Sequence, residues 1–286
     1  MSEDTLRDYT EILERQIAEG AMTLDRPASG QFLSALSCGF DIGFGPMLLV
    51  AMGTATGAAI PGSVSKVMMS LMYTLGFVYV ILGRSELFTE HTTLAVLPVL
   101  DGREPLRKLA QLWGTVYAGN IVGGVFVAAF IAYLGPVMGL VTTDMVVHVA
   151  RPFVTLSPLG VFAGALLAGW LMGLLSWILT SVSDTISRVA VIVMTTFVIG
   201  FAHLPHCVAG NIEVLAAIFA GANITLVQWA RFLAVTTVGN AVGGVVFVSL
   251  IKYAHVRRGV PDEVAVDIKQ KPGVGVKRTS LTEDEE

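Results

Sequence analysis

Two long apolar stretches of this chain are each interrupted by polar residues that a membrane-spanning helix does not normally contain. The first interruption, from residue 84, reads RSELFTEH, and the second, from residue 202, reads AHLPHCVAGN. Each is followed by almost the same string, GNIVGG in one half of the chain and GNAVGG in the other. A spacing of 34 residues separates Glu86 from Asn120, and the same spacing separates His206 from Asn240. A duplicated unit with a broken helix in each copy is typical of transporters and channels, whose site lies where the copies meet.

Composition excludes an ordinary soluble domain, because 54% of the residues are apolar and only 14% are charged. A helix needs about 20 residues to cross a hydrocarbon core of roughly 30 Å. We therefore predict an all-α, polytopic membrane protein with six transmembrane helices, of which the second and fifth are broken. The predicted spans are 33–54, 67–99, 109–134, 158–179, 189–222 and 230–253.

The two ends of the chain differ from its apolar centre. In residues 1–30, apolar side chains recur at helical spacing and Gly20 is a candidate stop signal. This predicts an amphipathic helix on the cytoplasmic membrane face or against a neighbouring subunit. Residues 31–253 form the predicted transmembrane channel domain. Residues 254–286 are charged and contain prolines, which predicts a flexible cytoplasmic tail.

The placement of lysine and arginine predicts a multi-pass protein of the cell (inner) membrane with both termini cytoplasmic. That orientation leaves only Lys66, Arg151 and Arg231 on the outer side. Three spans per copy is an odd number, so the second copy enters from the opposite face and the repeats are inverted. The two breaks then meet near the bilayer midplane, where irregular backbone must line a cavity or be buried in protein. The net charge of −4 argues against a nucleic-acid partner.

Asn120 and Asn240 are expected to contact the breaks. A side-chain amide inside a span needs hydrogen-bond partners, and both asparagines follow a break at the same distance. Each amide is predicted to hold the unwound segment of its own half or of the opposite half. The alternative is a bond to a neighbouring helix with no role at the break.

Four segments resemble the formate/nitrite transporter family over roughly residues 25–253. They are ELFT from Glu86, WGTVYAGNIVG from Trp113, HCVAGN from His206 to Asn211, and the helix that contains Gly239 and Asn240. The resemblance implies an aquaporin-like protomer that assembles as a homo-pentamer, with one pore for a small anionic solute in each protomer.

The resemblance also implies the residues of the pore. In the family, a threonine of the first broken helix meets a central histidine of the second, between two apolar constrictions. By motif position these are Thr89 and His206, with Leu87 and Phe88 beside the threonine. The aromatic and aliphatic constriction residues correspond to Tyr73 and Phe77.

His203 is an alternative to His206 as the central histidine, because the residues around it also look like the family's stretch. His206 is preferred because the CVA that follows it is the better match. The chain departs from the family pattern here, with about three extra residues around the break, Pro205 where an acidic residue is common, and Gly210 where an asparagine usually stands.

A charged cluster is a second departure from the characterised formate and nitrite channels. It consists of Arg84, Glu86, Glu90 and His91. Arg84 could pair with Glu86 or Glu90, or it could attract anions. Asp41 of the first span could be a buried partner of Arg84 or a proton relay. This pattern looks more like the YfdC-like branch of the family, so formate is not assumed as the substrate.

A histidine at the constriction suits anion transport. Moving a bare anion through a dry constriction is far more costly than moving its neutral acid. Histidine has an ordinary pKa of about 6.5, and a neighbouring hydroxyl can orient it. We therefore predict a channel or transporter for a small monovalent anion or its weak acid, with proton transfer or sharing at His206.

Two other classes are weaker. An aquaporin-like channel for a small neutral solute would share the broken repeats, but the paired Asn-Pro-Ala signature is missing from the sequence. An enzyme would need a nucleophile–base pattern, which we do not find. Adjacent His206 and Cys207 do not form a metal-ligand motif, so neither a metal nor a cofactor is expected.

Overall fold

The computed structural model describes residues 7–57 and 59–259, and within them the chain forms helices, turns and loops. In chain order the helices are α1 (Tyr9–Leu24), α2 (Ala28–Ile42), α3 (Phe44–Thr56), α4 (Gly62–Gly83), α5 (Phe88–His91), α6 (Leu97–Leu100), α7 (Leu106–Ala129), α8 (Gly135–Val137), α9 (Thr143–Thr155), α10 (Pro158–Ser181), α11 (Thr185–Phe201), α12 (Ala209–Phe219), α13 (Leu226–Gly244) and α14 (Ile251–Gly259). Two π-helical turns, Phe130–Leu134 and Val245–Leu250, continue α7 and α13.

Five continuous helical segments of the described chain are long and apolar enough to cross a membrane. They are Ala28–Thr56, Gly62–Gly83, Leu106–Val137, Pro158–Ser181 and Leu226–Gly259. The fifth predicted span is instead divided into α11, of 17 residues, and α12, of 11 residues. Large apolar side chains such as Phe126 and Met194 are exposed on the outside of this bundle, as contact with lipid or neighbouring subunits requires.

The second span differs from its prediction. Helix α4 has 22 residues and begins at Gly62, five residues before the predicted start of the span at 67. The predicted start was wrong because the first turns of α4 contain the polar residues Ser65 and Lys66. The break itself is present, since residues 84–87 are not helical.

The two halves of the bundle pack in the same way. Helix α2 lies against α7 in the first half, and α10 lies against α13 in the second. A Cβ atom on Gly39 of α2 would be 2.6 Å from the carbonyl oxygen of Asn120, and one on Gly169 of α10 would overlap the carbonyl oxygen of Asn240. Only glycine allows these close approaches, which bring each asparagine against the neighbouring helix.

Helix α1 packs against its own chain. Asp8 caps it by accepting a hydrogen bond from the Thr10 N–H at 3.3 Å, and its buried face lies against α6, α10 and α14. The helix continues through Gly20 to Leu24, so the predicted stop at Gly20 is wrong. A Cβ atom at Gly20 would overlap the carbonyl oxygen of Leu94, and glycine is therefore needed there for packing. Residues 1–6, the start of the segment in which the amphipathic helix was predicted, lie outside the described part of the chain.

One end of the molecule is held by a charged cluster. Arg257 of α14 donates to Asp101 Oδ1 at 2.5 Å and to Glu14 Oε1 of α1 at 3.0 Å. Arg103 donates to Glu14 Oε2 and to Asp101 Oδ2, both at 2.7 Å. The N-terminal helix, the loop after α6 and the last helix therefore meet on one side of the bundle. Helix α14 ends at Gly259, beyond the predicted domain boundary at 253, and the rest of the predicted tail, 260–286, lies outside the described residues.

Candidate functional site

The first break is held in place by Asn120 of α7. Its side-chain nitrogen donates to the carbonyl oxygens of Ala35 and Glu86, both at 2.9 Å. Its side-chain oxygen accepts a hydrogen bond from the Phe88 N–H at 2.9 Å. One buried amide thus satisfies two backbone groups of the break and ties the break to α2.

Asn240 of α13 makes the equivalent contacts in the second half. Its nitrogen donates to the carbonyl oxygens of Ala165 at 2.7 Å and Pro205 at 3.0 Å, and its oxygen accepts from the Cys207 N–H at 2.8 Å. Each asparagine therefore holds the break of its own half, one of the two arrangements predicted from the sequence.

The two breaks meet at Thr89 and His206. The hydroxyl oxygen of Thr89, on the short helix α5, lies 2.9 Å from Nε2 of His206, on the loop before α12. Both side chains are fully buried. This is the residue pair that the family resemblance implied.

The hydrogen bonds of His206 fix its tautomer. Its Nδ1 atom accepts hydrogen bonds from the backbone N–H groups of Val208 at 3.3 Å and Ala209 at 3.2 Å. A neutral ring that accepts at Nδ1 carries its proton on Nε2. His206 therefore donates to Thr89, and the Thr89 hydroxyl oxygen accepts this hydrogen bond.

Apolar and aromatic side chains enclose this pair. The ring of Phe77 packs edge-on against the His206 ring with centroids 5.3 Å apart, and Tyr73 lies 5.3 Å from Phe77. Leu87 and Phe88, the neighbours of Thr89, are buried. Of the sequence-predicted constriction residues, Phe77 contacts the histidine and Tyr73 contacts Phe77, whereas the Phe88 ring packs edge-on against Trp113 and Tyr117. In such a buried site hydrogen bonds and charges have large energies.

His203 has a different environment. Its backbone has a positive φ of 51°, its ring stacks on Phe153 with centroids 4.3 Å apart, and its Nε2 lies 3.1 Å from the Val149 carbonyl oxygen. It does not contact Thr89 among the described residues. Of the two candidate histidines, the geometry favours His206 as the one at the meeting of the breaks.

A cavity of about 430 Å³ opens on the side of the bundle where His203 lies. Helices α3, α4, α9 and the end of α11 form its walls, and its polar lining includes Ser65, Lys66, Ser70, His148 and His203. Those walls carry no carboxylate among the described residues. Such a lining favours an anion over a cation.

Glu86 connects the first break to the surface. The carboxylate is buried and pairs with Arg26 through Oε1 and with His91 through Oε2. Arg84, for which pairing was one of two alternatives, is exposed at the end of α4 in a left-handed conformation with φ of 56°. The left-handed cap turns Arg84 away, and Arg26, which lies 60 residues earlier in the sequence, takes the pairing position. Asp41 accepts instead from Ser37 and Ser85.

Two further polar side chains of α12 are buried. Asn211 accepts a hydrogen bond from the Trp229 ring N–H at 2.8 Å, which ties α12 to α13. Glu213 was not singled out from the sequence, although an acidic residue inside a predicted span is itself a signal. Of the described residues, no three His, Cys, Asp or Glu side chains lie close enough together to hold a metal ion.

Comparison with known proteins identifies the family. Residues 10–254 match the family model described as "Formate/nitrite transporter". The chain belongs to the formate/nitrite transporter family. It is 29% identical over 278 residues to the inner membrane protein YfdC of Escherichia coli (strain K12), which covers 95% of this chain and 86% of YfdC. The predicted resemblance to the family, and to its YfdC-like branch, is confirmed.

Solved structures agree with this assignment. A channel described as "FNT family ion channel" superposes with a TM-score of 0.77 and 26% sequence identity, covering 88% of this chain and all of that one. A "pentameric formate channel with formate bound" superposes with a TM-score of 0.66 at 23% identity, covering 80% of this chain and 98% of that one. The predictions of an all-α, multi-pass membrane protein and of a transporter rather than an enzyme are confirmed.

Proposed function

We propose that this chain conducts formate, nitrite or a similar small monovalent anion, and that the solute passes between Thr89 and His206. The single observation that supports this most is the 2.9 Å hydrogen bond that joins the two breaks in a fully buried position. Burying two polar side chains so far from water costs free energy unless hydrogen bonds to a partner or to a polar solute satisfy them.

The Thr89 hydroxyl is the group that meets the anion. Because His206 donates to its oxygen, its hydrogen is free to bind one oxygen of the solute. This hydrogen bond lowers the free energy of bringing the solute into the proposed constriction, which consists of Tyr73, Phe77, Leu87 and Phe88. The charge itself is removed by a proton, since a neutral acid crosses an apolar constriction far more cheaply than its anion. In this proposal His206 polarises Thr89 and shares its Nε2 proton with the Thr89–solute chain.

The proposed arrangement in the membrane has inverted three-helix repeats and both ends of the chain in the cytoplasm. The contacts of Glu14, Asp101 and Arg257 bring α1 and α14 to one side of the bundle, which supports placing both ends on the same side. The bias of lysine and arginine supports calling that side cytoplasmic. We also propose a homo-pentamer in the inner membrane, by analogy with the pentameric formate channel and YfdC.

A flux assay in proteoliposomes tests this function. Vesicles containing a pH-sensitive dye would be exposed in turn to formate, nitrite, acetate, lactate, hydrosulfide and glycerol. We expect flux of a small anion that is accompanied by protons, and no glycerol flux. The opposite result, glycerol flux that is indifferent to a proton gradient, would support a neutral-solute channel instead.

The variant His206→Asn tests the role of the histidine. Asparagine can still donate to Thr89 but has no ring nitrogen to share a proton. We expect anion flux to fall about tenfold or more, the equivalent of about 1.4 kcal/mol or more in the barrier. Full flux with an unchanged pH dependence in His206→Asn would show that the proton shared by His206 has no part in transport.

A further inference from the structure

Glu213 is a buried carboxyl group for which the transport scheme so far has no use. It lies on α12, one turn after the helix begins at Ala209, and only 4% of it is exposed. Its Oε2 atom is buried without a hydrogen-bond partner in the described chain. Glu213 also takes part in none of the ion pairs found there.

The surroundings of Glu213 offer no charge to compensate a carboxylate. Helix α3, which packs against α12, contains no ionisable residue. On α9 the ionisable residues are Asp144, His148 and Arg151, all exposed, and on α13 Arg231 donates to the Val154 carbonyl oxygen.

The remaining neighbouring elements contribute little more. On α7 the ionisable residues are Arg107 and Lys108 in its first turn and Tyr117, which bonds to Thr237. The π-helical turn after α7 contributes Tyr133, which is exposed. On α4 the ionisable residues are Lys66, which lines the cavity, and the tyrosines Tyr73 and Tyr79. A buried carboxylate without a cation is costly by several kcal/mol, so the group is stable in this position as a neutral acid.

His206 itself cannot supply the proton that the anion needs. Its Nδ1 atom is occupied by the N–H groups of Val208 and Ala209, and its Nε2 proton is already donated to Thr89. Giving that proton away completely would leave an anionic imidazole in an apolar site. The Thr89–His206 pair can bind and orient the solute, but another group must neutralise it.

Glu213 is placed between the cavity and the constriction. Helices α3 and α9 both wall the cavity and pack against α12. On α4, Ser70 lines the cavity, Tyr73 is one turn further along, and Phe77 another turn on touches His206. Glu213 lies one turn of α12 beyond Ala209, whose N–H donates to the His206 ring, so the same short helix joins the histidine to the walls of the cavity.

We propose that Glu213 is the proton donor of the permeation path. The O–H bond of its carboxyl group breaks as an O–H bond forms on the anion, which leaves a carboxylate and a neutral acid. The acid continues past Thr89 and His206, and the carboxylate takes up a proton from water in the cavity. Transport in the other direction reverses each step. This inference rests on the proposed function, which supplies the anion.

The variant Glu213→Gln tests the proposal, because glutamine has nearly the same shape but cannot give up a proton. Flux of formate or nitrite and the accompanying proton flux would be measured at a series of pH values in proteoliposomes. We expect Glu213→Gln to lose about tenfold or more of the anion flux and most of its dependence on cavity-side pH. Glu213→Asp should recover part of the flux with a shifted pH profile. Glu11→Gln, an exposed substitution of the same kind on α1, should behave as the native chain.

Infrared spectroscopy gives an independent readout. The native protein should show the carbonyl stretch of a protonated carboxyl group, sensitive to exchange into D₂O, and Glu213→Gln should lack it. An unchanged spectrum would overturn the proposal even if Glu213→Gln failed to assemble. So would a flux–pH curve of an assembled Glu213→Gln that superposes on that of the native chain. Native vesicles with no anion flux would instead refute the proposed function, a result distinct from either of these.

Discussion

The hydroxyl oxygen of Thr89 and the Nε2 atom of His206 lie 2.9 Å apart, although 117 residues separate them in the sequence. Each residue sits at the start of a helix that follows a break, and each break is held by an asparagine of the same half of the chain. The position of the pair is therefore set by backbone hydrogen bonds and not by the two side chains alone. This rigid support is what a selective constriction requires.

Thr89→Val is expected to remove solute binding at the constriction with little change in shape. Valine fills the same volume but cannot accept the His206 proton or donate to an anion. Anion flux in proteoliposomes should fall about tenfold or more, and stability should fall by roughly 1–3 kcal/mol because His206 Nε2 is left unpaired. Thr89→Ser keeps the hydroxyl and serves as the control, with flux close to native. Native flux in Thr89→Val would refute a role for the hydroxyl.

Asn120→Ala and Asn240→Ala should have similar effects on stability. Each removes an amide that makes two hydrogen bonds to the backbone of a break and a third to a carbonyl oxygen of the neighbouring helix. Buried backbone groups left unpaired cost roughly 1–3 kcal/mol each, so a loss of about 3 kcal/mol or more is expected in either variant. Thermal melting in detergent measures this, with the exposed Asn223→Ala as control. A loss in one variant only would mean that the halves are not held in equivalent ways.

The breaks could be predicted from the sequence because polar residues are unusual in apolar spans. The duplicated strings then indicated the asparagines that contact each break. Asn120 and Asn240 were identified by spacing, and Thr89 and His206 by the family motif. The Arg26–Glu86 pair was missed because it joins residues 60 positions apart in the sequence. Arg26 lies in the turn between α1 and α2, and only the folded chain brings that turn to the break. Gly20 was misread as a stop because a sequence does not show that a carbonyl oxygen of another segment lies against it.

Glu86→Ala should loosen the first break more than any change at Arg84. Removing Glu86 leaves the partly exposed Arg26 without its ion-pair partner and the buried His91 without its hydrogen bond, which costs roughly 1–3 kcal/mol. His91, buried beside Glu86, would lose its carboxylate partner. Limited proteolysis of residues 84–91 and thermal melting should both reveal the change. Arg84→Ala is the matched control, because Arg84 is exposed, lies two residues before Glu86 and forms no ion pair with it. Equal effects of the two variants would contradict the pairing described.

The Asp101 cluster should make the junction of α1 with α14 sensitive to acid. Burial opposes ionisation of Asp101, but the hydrogen bonds from Arg257, Tyr253 and Arg103 outweigh it and hold the pKa of the carboxyl group below its ordinary value. A lowered pKa in the folded state means that the ionised group stabilises the fold above the unfolded pKa of about 3.9, and that this contribution is lost as pH falls through the folded value.

Asp101→Asn tests this pH dependence. At pH 7 the variant should be less stable by roughly 1 kcal/mol, a modest value because the cluster is partly exposed to solvent. The difference in melting temperature between native and variant should shrink as pH is lowered below about 4, since native Asp101 is then protonated as well. Asp144→Asn, an exposed change on α9, should show a smaller difference at every pH. A difference in melting temperature between native and variant that stays constant from neutral to acid pH would mean that the charge on Asp101 does not hold α1 and α14 together.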